Sequence, residues 1–514
     1  MRIHRSGSIT RFLAGWALVL FAGPTSWADA QPPKQGSKPN VLFIAVDDLR
    51  PEFGAYGHPE VKSPNLDRLA ARGLTFQRAY CQQAVCSPSR TSLLTGARPD
   101  TTKVYDLVTH FRKAMPETVT LPQFFKAQGY FVQGLGKIYH PGFNDPPSWS
   151  VPWETATPQA RPYALAESRA LAQKNRQATA PAKAKAKKKA AAKQGSRGPA
   201  FESADVPDDA YLDGAVANMA VKTLQSLKAK EEPFFLAVGF AKPHLPFVAP
   251  KRYWDLYDPA KIALASNPYR PKGAPEYAVQ PGGELRSYAN IPTGHVPDEL
   301  ARTLKHGYYA AISFMDAQVG KLLDELDRLS LRDNTIIVLW GDHGWKLGEH
   351  DAWCKHSNVE LDTHVPLIVV APGQAEPGKQ SKALVEFVDL YPSLAELAGL
   401  TPPAHVEGTS FLPVLKSPDR PWKSAAFSQY PRQVEGRSLM GYSMRTDRYR
   451  FTRWVERDDP TKVTAVELYD HETDPQENQN IADDPANTAL VAKLTKQWQA
   501  GWQGTKAELS ASRP

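Results

Sequence analysis

What most constrains this chain is a set of continuous apolar runs, each closed by an acid, a histidine or a lysine. NVLFIAVDDL ends on Asp47 and Asp48. GYFVQGLGKIYHPG runs to about Leu135, then gives Lys137 and His140. PFFLAVGFAKPHLPF gives Lys242 and His244, and NTIIVLWGDHGW, apolar from Thr335 to Trp340, gives Asp342 and His343. VPLIVVAPG is a further run of this kind. Short runs without polar alternation fit strands buried on both faces of a parallel sheet. Between them lie helical patterns, Asp209–Lys228 with Leu212, Val216, Met219 and Leu224 as its apolar residues, and Glu299–Leu329. Strands alternating with helices predict an α/β domain with a mostly parallel central sheet sandwiched by helices. Ligands of such sheets bind outside the carboxyl ends of the strands. Four strand ends bearing Asp, His or Lys therefore point to one site.

A chain of 514 residues exceeds one typical core, so a large domain plus a smaller one is expected. The character changes near residue 400, after which AELAGLTPPAHVEGTSF is loop-rich. The shorter strand-like pieces SAAFSQYP, SLMGYSMRT, RYRFTRWV and AVELYDH follow. They predict a small antiparallel sheet over 401–514, with a closing helix packed on it. Leu490, Leu494, Trp498 and Trp502, four residues apart, are expected to be that helix's core stripe rather than a binding surface.

Residues 1–30 read as a secretory signal. Arg2, Arg5 and Arg11 precede the apolar run Phe12–Ala22, and Ala28-Asp29-Ala30 is a small-x-small cleavage site. The run is too short to span a bilayer. An exported protein, periplasmic or extracellular, is expected, with a catalytic domain over 31–400. The net charge of +8 does not describe this body: residues 1–30 contribute +2 and the Lys/Ala-rich tract from Lys174 to Arg197 contributes +9, so the remainder carries −3. Nothing global argues for nucleic acid. The tract, bounded at 173–200, reads as a disordered insertion. Three cysteines, Cys81, Cys86 and Cys354, leave at least one without an intramolecular disulfide. Cys81 and Cys354 are either paired or both free.

In CSPSRTSLLTG, Ser87 can cap a helix and Pro88 suits its first turn. Cys86 then lies at a helix N-terminus beside Arg90, whose planar fork suits a tetrahedral oxyanion. Taken alone, this is compatible with a thiolate nucleophile. The pairs Asp47–Asp48 and Asp342–His343, at two strand ends, suit a hard cation such as calcium or magnesium. Singly, each pair could simply cap a turn. Lys137, His140, His244 and Lys355 could ring a tetrahedral anion with positive charge, although each alone reads as a surface lysine or a satisfied histidine.

CSPSR followed by LLTG resembles the signature of the sulfatase family, as do VDDLRPEFGAYG, SPNLDRLAARG, GKIYHPG, KPHLPF and GDHGWKLGEHDAWCKHSNVE. FSQYPR and GYSMRTDRYRFTRW resemble the iduronate-2-sulfatase branch. The resemblance runs from about Asn40 to about Ile481, with the Lys/Ala tract its main departure. It implies an alkaline phosphatase-like fold. It also implies export-linked oxidation of Cys86 to formylglycine by a formylglycine-generating enzyme, and one Ca2+ held by Asp47, Asp48, residue 86, Asp342 and His343. His343 stands where many sulfatases have asparagine. The hydrated aldehyde would attack sulfur, the alcohol would leave, and a second hydroxyl would expel sulfate. By the same resemblance, Arg90 would orient residue 86, and Lys137 and Lys355 would bind sulfate oxygens. His140 would take the proton of the elimination step, and His244 would bind sulfate or protonate the leaving alcohol. The implied substrate is a sulfated mono-, oligo- or polysaccharide, with no nucleic acid and no membrane span. Two other readings stand beside it: a phosphonate monoester or phosphodiester hydrolase of the same superfamily, and a non-catalytic polyanion-binding protein acting through its basic tract.

Overall fold

The computed structural model describes residues Met1, 38–155, 162–179, 195–374 and 376–511. The secretory signal expected over 1–30 lies outside the described residues, apart from Met1. Seven strands form the central sheet: β1 (Asn40–Asp47), β2 (Leu74–Tyr80), β3 (Phe131–Gly136), β4 (Phe234–Pro243), β5 (Thr335–Gly341), β6 (His364–Val370) and β7 (Gln380–Glu386). Their order is β7-β2-β6-β5-β1-β4-β3. All run parallel except β6, which is antiparallel to both of its neighbours.

Every residue of β1 is buried. Val41, Phe43 and Ala45 enter one apolar layer, and Leu42, Ile44 and Val46 enter the other. A strand apolar on both sides has to be covered on both sides, which is why the run shows no alternation. One layer takes Val216, Ala220 and Leu224 from α2 (Leu212–Lys230), together with Tyr308, Ile312 and Met315 from α3 (Asp298–Arg328). The other takes Leu93 and Leu94 from α1 (Cys86–Thr95) and the aromatic pair Phe124 and Phe125. Each such side chain contributes roughly 1.5–3 kcal/mol by leaving water. Cys354 packs in the first layer and Cys81 in the second, and all three cysteines are free thiols.

The end of β3 and the middle of β4 approach each other so closely that both carry glycine. A Cβ on Gly136 would strike the carbonyl of Gly239, and a Cβ on Gly239 would strike the carbonyl of Lys137. Gly136 also has φ 68°, a backbone region costly for other residues. Gly239→Ala is expected to displace Lys137 and cut turnover about tenfold or more, with a smaller loss of melting temperature. Unchanged turnover in that variant would show that Lys137 is not held by this contact.

The expected antiparallel sheet is present as a meander of β8 (Ala425–Val434), β9 (Arg437–Thr446), β10 (Tyr449–Glu456) and β11 (Asp459–Asp470), while Phe411, Val414 and Leu415 before it pack into the core of the large sheet. On the meander lies α4 (Thr488–Ala511). Leu494 is buried with Met444, Phe451 and Leu468, and Leu490 and Trp498 pack beside them. The expected four-residue stripe stops there. Gly501 has φ 62° and ψ −164° inside α4, so the helix breaks and Trp502 leaves the stripe to stand over Arg98, 5.0 Å from its guanidinium carbon.

The Lys/Ala tract is not free along its whole length. A helix spanning Ala166–Thr179 runs into it. At its far end, Gly195 and Arg197 donate backbone hydrogen bonds to the carbonyls of Arg286 and Ser287, at 3.1 and 2.9 Å. The insertion bounded at 173–200 is therefore anchored at both flanks, and residues 180–194 lie outside the described part. No helix among the described residues is long and apolar enough to cross a membrane.

Candidate active site

The expected residues meet at the carboxyl ends of β1, β3, β4 and β5. Asp47 closes β1, and Asp48 follows with φ 59°. Both are fully buried, as are Asp342 and His343 after β5. Cys86 opens α1 without a side-chain cap. Val85 is the capping residue, and Ser87 lies inside the first turn instead of before it. The Cys86 Sγ lies 3.4 Å from Asp47 Oδ1, 3.3 Å from His343 Nε2 and 3.9 Å from Lys137 Nζ.

Three cations hold the carboxylates in place. Arg90 Nε donates to Asp342 Oδ2 at 2.8 Å, and a terminal nitrogen donates to Asp47 Oδ1 at 3.2 Å. The other terminal nitrogen bonds the carbonyls of Lys137 and Ile138, at 2.5 and 3.0 Å, tying α1 to the end of β3. Lys137 Nζ pairs with Asp47 Oδ2. Lys355 Nζ reaches both oxygens of Asp48, at 3.0 and 3.1 Å, and lies over the Trp345 ring. Burial opposes ionisation of Asp47, but Lys137, His244 and Arg90 outweigh it and hold that carboxyl well below its usual range. At Asp48 burial wins over the same kind of help, and its carboxyl is pushed up. Burial first, then the Asp47 carboxylate, pushes the Cys86 thiol well up. That is the reverse of the setting in which cysteines act as thiolates.

One nitrogen, one sulfur and two carboxylate oxygens, from His343, Cys86, Asp47 and Asp48, all lie within 4.8 Å of one another. Ligands on opposite sides of a calcium ion are separated by about that much, at 2.3–2.6 Å each. His343 Nδ1 faces the Gly344 carbonyl at 3.0 Å, which leaves Nε2 to face the cluster. These groups could hold a cation. Asp342 stands beside them: one oxygen accepts from the Asp48 backbone N–H at 3.0 Å, and the other serves Arg90.

His244 and His140 complete the ring. His244 Nε2 lies 3.8 Å from Asp48 Oδ2. His140 Nδ1 is buried with no hydrogen-bond partner among the described residues. Burial, then Lys137, brings the His140 pKa down to about 4. Lys242, on the same segment as His244, is turned away from this chemistry. Its Nζ is spent on the carbonyls of His244 and Pro246, at 2.5 and 2.7 Å, and burial lowers it to about 8.

Sequence reasoning missed two acids. Glu284 bridges His244 Nε2 at 3.1 Å and Lys355 Nζ at 2.8 Å. Lys355 and His244 outweigh the burial that opposes its ionisation, and hold it well below the usual carboxylate range. PGGELRS carries no signal for this, because the contact depends on where the loop between β4 and α3 returns. Asp213, at the start of α2, accepts from the backbone N–H groups of Ala241 and Lys242, at 2.8 and 2.7 Å. It fixes the segment that carries His244.

The sulfatase family matches residues 39–400, well over half of the chain. The chain belongs to the sulfatase family. This sulfatase is accordingly a sulfuric ester hydrolase. A second match, to the C-terminal part of N-sulphoglucosamine sulphohydrolase, covers residues 348–503 and so overlaps the first. Human iduronate 2-sulfatase is 36% identical over 530 residues, covering 88% of this chain and 93% of that one. Among solved structures, a protein in complex with its substrate D-glucosamine-2-N,6-O-disulfate superposes with TM-score 0.68 at 21% identity, covering 91% of this sulfatase and 99% of that chain. The phosphonate monoester hydrolase of Silicibacter pomeroyi gives 0.70 at 22%, covering 91% and 96%. Both structural likenesses establish the alkaline phosphatase-like fold.

Proposed function

We propose that this sulfatase is exported and removes sulfate from a sulfated sugar, with residue 86 oxidised to formylglycine and calcium held beside it. The observation that carries the reading is the position of Cys86. It is 3% exposed, at the N-terminus of a helix, touching Asp47 and His343, with Lys137 Nζ 3.9 Å from its sulfur. The low identity of the structural neighbours leaves the substrate to the site itself. The 36% identity to iduronate 2-sulfatase favours a sulfated uronic acid or a related glycan.

Residue 86, once oxidised to the aldehyde and hydrated by water, would supply a hydroxyl nucleophile, and the cation would supply Lewis-acid polarisation. Asp47, Asp48, His343 and residue 86, with Asp342 behind them, hold the cation. Arg90 fixes residue 86 relative to Asp47 and Asp342. Lys137 and Lys355, each now facing a carboxylate, neutralise the sulfate oxygens as charge moves toward the leaving group. His244, steadied by Glu284, donates toward the leaving alcohol. His140, kept neutral by its burial, accepts the proton that releases sulfate. A formylglycine-generating enzyme is the maturation partner this scheme requires. The chain divides near residue 400, with the catalytic groups before it.

The test is the mass of the peptide containing residue 86, made in a host with the maturation machinery, followed by assays with an aryl sulfate and an aryl phosphodiester. An aldehyde at 86 and preference for the sulfate are expected. An unmodified thiol in a competent host, or a large preference for the diester, defeats the reading. The pH profile checks His140 separately. Below its pKa the imidazole is protonated and takes no further proton. The acid limb of kcat is therefore expected near pH 4, where the pKa lies, and is lost in His140→Ala. A limb near the ordinary histidine value of about 6.5 would assign the proton transfer to another group.

A further inference from the structure

The motif FSQYPR, residues 427–432, lies in β8 and ends on a guanidinium that the chemistry above leaves unused. Arg432 is 4% exposed, and the hydrogen bonds of its guanidinium run to backbone carbonyls. Its Nε donates to the Tyr277 carbonyl at 2.6 Å. One terminal nitrogen donates to the carbonyls of Ala278, at 3.0 Å, and of His356. The other donates to the Pro431 carbonyl at 3.2 Å. The guanidinium carbon stands over the Tyr430 ring, 4.4 Å from its centre. Burial pulls the pKa of Arg432 down. A cation buried against carbonyls instead of a carboxylate is costly to keep, so its place calls for an explanation.

The explanation lies in what those carbonyls belong to. His356 directly follows Lys355. Lys355 itself stands between two residues with left-handed backbone, Cys354 at φ 69° and His356 at φ 90°, neither of them glycine. Such backbone persists only where the surroundings over-determine it. Here β8 constrains it twice: Arg432 holds the His356 carbonyl, and the Tyr430 ring packs edge-on against the His356 ring, 6.0 Å between centres. A third tie comes from β9, where the Gly441 carbonyl accepts from Asn358 Nδ2 at 2.9 Å. Tyr277 and Ala278 belong to the segment that runs on to Glu284, the partner of Lys355 at 2.8 Å. Arg432 therefore ties together the two segments whose side chains meet in the Lys355–Glu284 pair. A planar fork suits this task, because it meets carbonyls on two segments at fixed angles, which a flexible ammonium does not.

We propose that Arg432 is a positioning residue for the reaction: by clamping the carbonyls of Tyr277, Ala278 and His356 it sets the place of the Lys355 ammonium, so that the C-terminal sheet shapes the sulfate-binding end of the site. The proposal rests on the reading that Lys355 binds sulfate. It does not require residue 86 to be oxidised.

The test titrates the full-length protein, in calcium buffer, with sodium sulfate by calorimetry, and follows kcat/KM for an aryl sulfate. Arg432→Met is expected to weaken sulfate binding and to lower kcat/KM, each about tenfold. Arg432→Lys, the milder variant should Arg432→Met fail to fold, is expected to lose about threefold in each. The decisive comparison is the Lys355→Met background. There each Arg432 variant is expected to cost less than about twofold, because the group it places is gone. A change that merely loosened the fold would cost the same in both backgrounds. That equality would overturn the proposal, as would sulfate binding within about twofold of the parent in both Arg432 variants. Sulfate binding unchanged in Lys355→Met would defeat the assignment of Lys355 and this proposal with it. A thiol at residue 86, read from the mass of its peptide, is a separate failure that leaves the sulfate titrations standing.

Discussion

Cys86→Ala is expected to fold normally and to hydrolyse an aryl sulfate more slowly by a factor on the order of 10⁵, the scale seen when a covalent nucleophile is removed. The fold is spared because only one atom leaves the N-terminus of α1. Asp47, Arg90 and Lys137 still hold one another through the pairs that do not involve sulfur. Turnover is lost because no hydroxyl takes the place of residue 86, and the neighbouring carboxylates are committed to ion pairs with Arg90, Lys137 and Lys355. Steady-state assays of matched preparations, with melting temperature as the folding control, decide the matter. Activity within tenfold of the parent would remove residue 86 from the chemistry and leave the formylglycine scheme without a nucleophile.

The second large effect is structural. Arg90→Met is expected to cost about 3–5 kcal/mol, the usual penalty for breaking a buried ion pair on one side. Arg90 is fully buried and serves Asp342, Asp47 and two backbone carbonyls at once. Without it, two carboxylates and the end of β3 lose their common donor. Lys137 still faces Asp47, but Asp342 keeps no cationic partner. Arg90→Lys gives little rescue, because a point charge on a flexible stem cannot meet four acceptors held in a planar fork. A melting temperature lower by on the order of 5 °C is expected in both variants, with little turnover remaining. A melting temperature equal to the parent's would show that the four bonds are not what holds α1 to the sheet.

Much of the fold was legible because burial on two faces leaves a plain mark. β1, β4 and β5 are continuous apolar runs, and their closing residues were expected to converge. They do, since parallel strands place their carboxyl ends on one edge. β2 and β7 were not legible. Leu74–Tyr80 and Gln380–Glu386 carry polar residues, and β7 lies at the sheet's edge with an exposed side. The reversal of β6 was also hidden, because VPLIVVAPG reads the same in either direction. The capping role expected of Ser87 fell to the backbone of Val85, since Ser87 sits one position inside the helix that Cys86 opens.

The sequence by itself determined the two-sided core, the run of acids and bases at the strand ends, and Cys86 within its CSPSR setting, because these are local patterns that burial and turn chemistry write into neighbouring positions. Only the tertiary structure decided that Glu284 braces His244 and Lys355, that Asp213 fixes the segment bearing His244, and that Trp502 leaves its stripe for Arg98. Each of these depends on a loop closure or a helix break that brings distant residues within a few ångströms, and hydrogen bonds and ion pairs act only at that range.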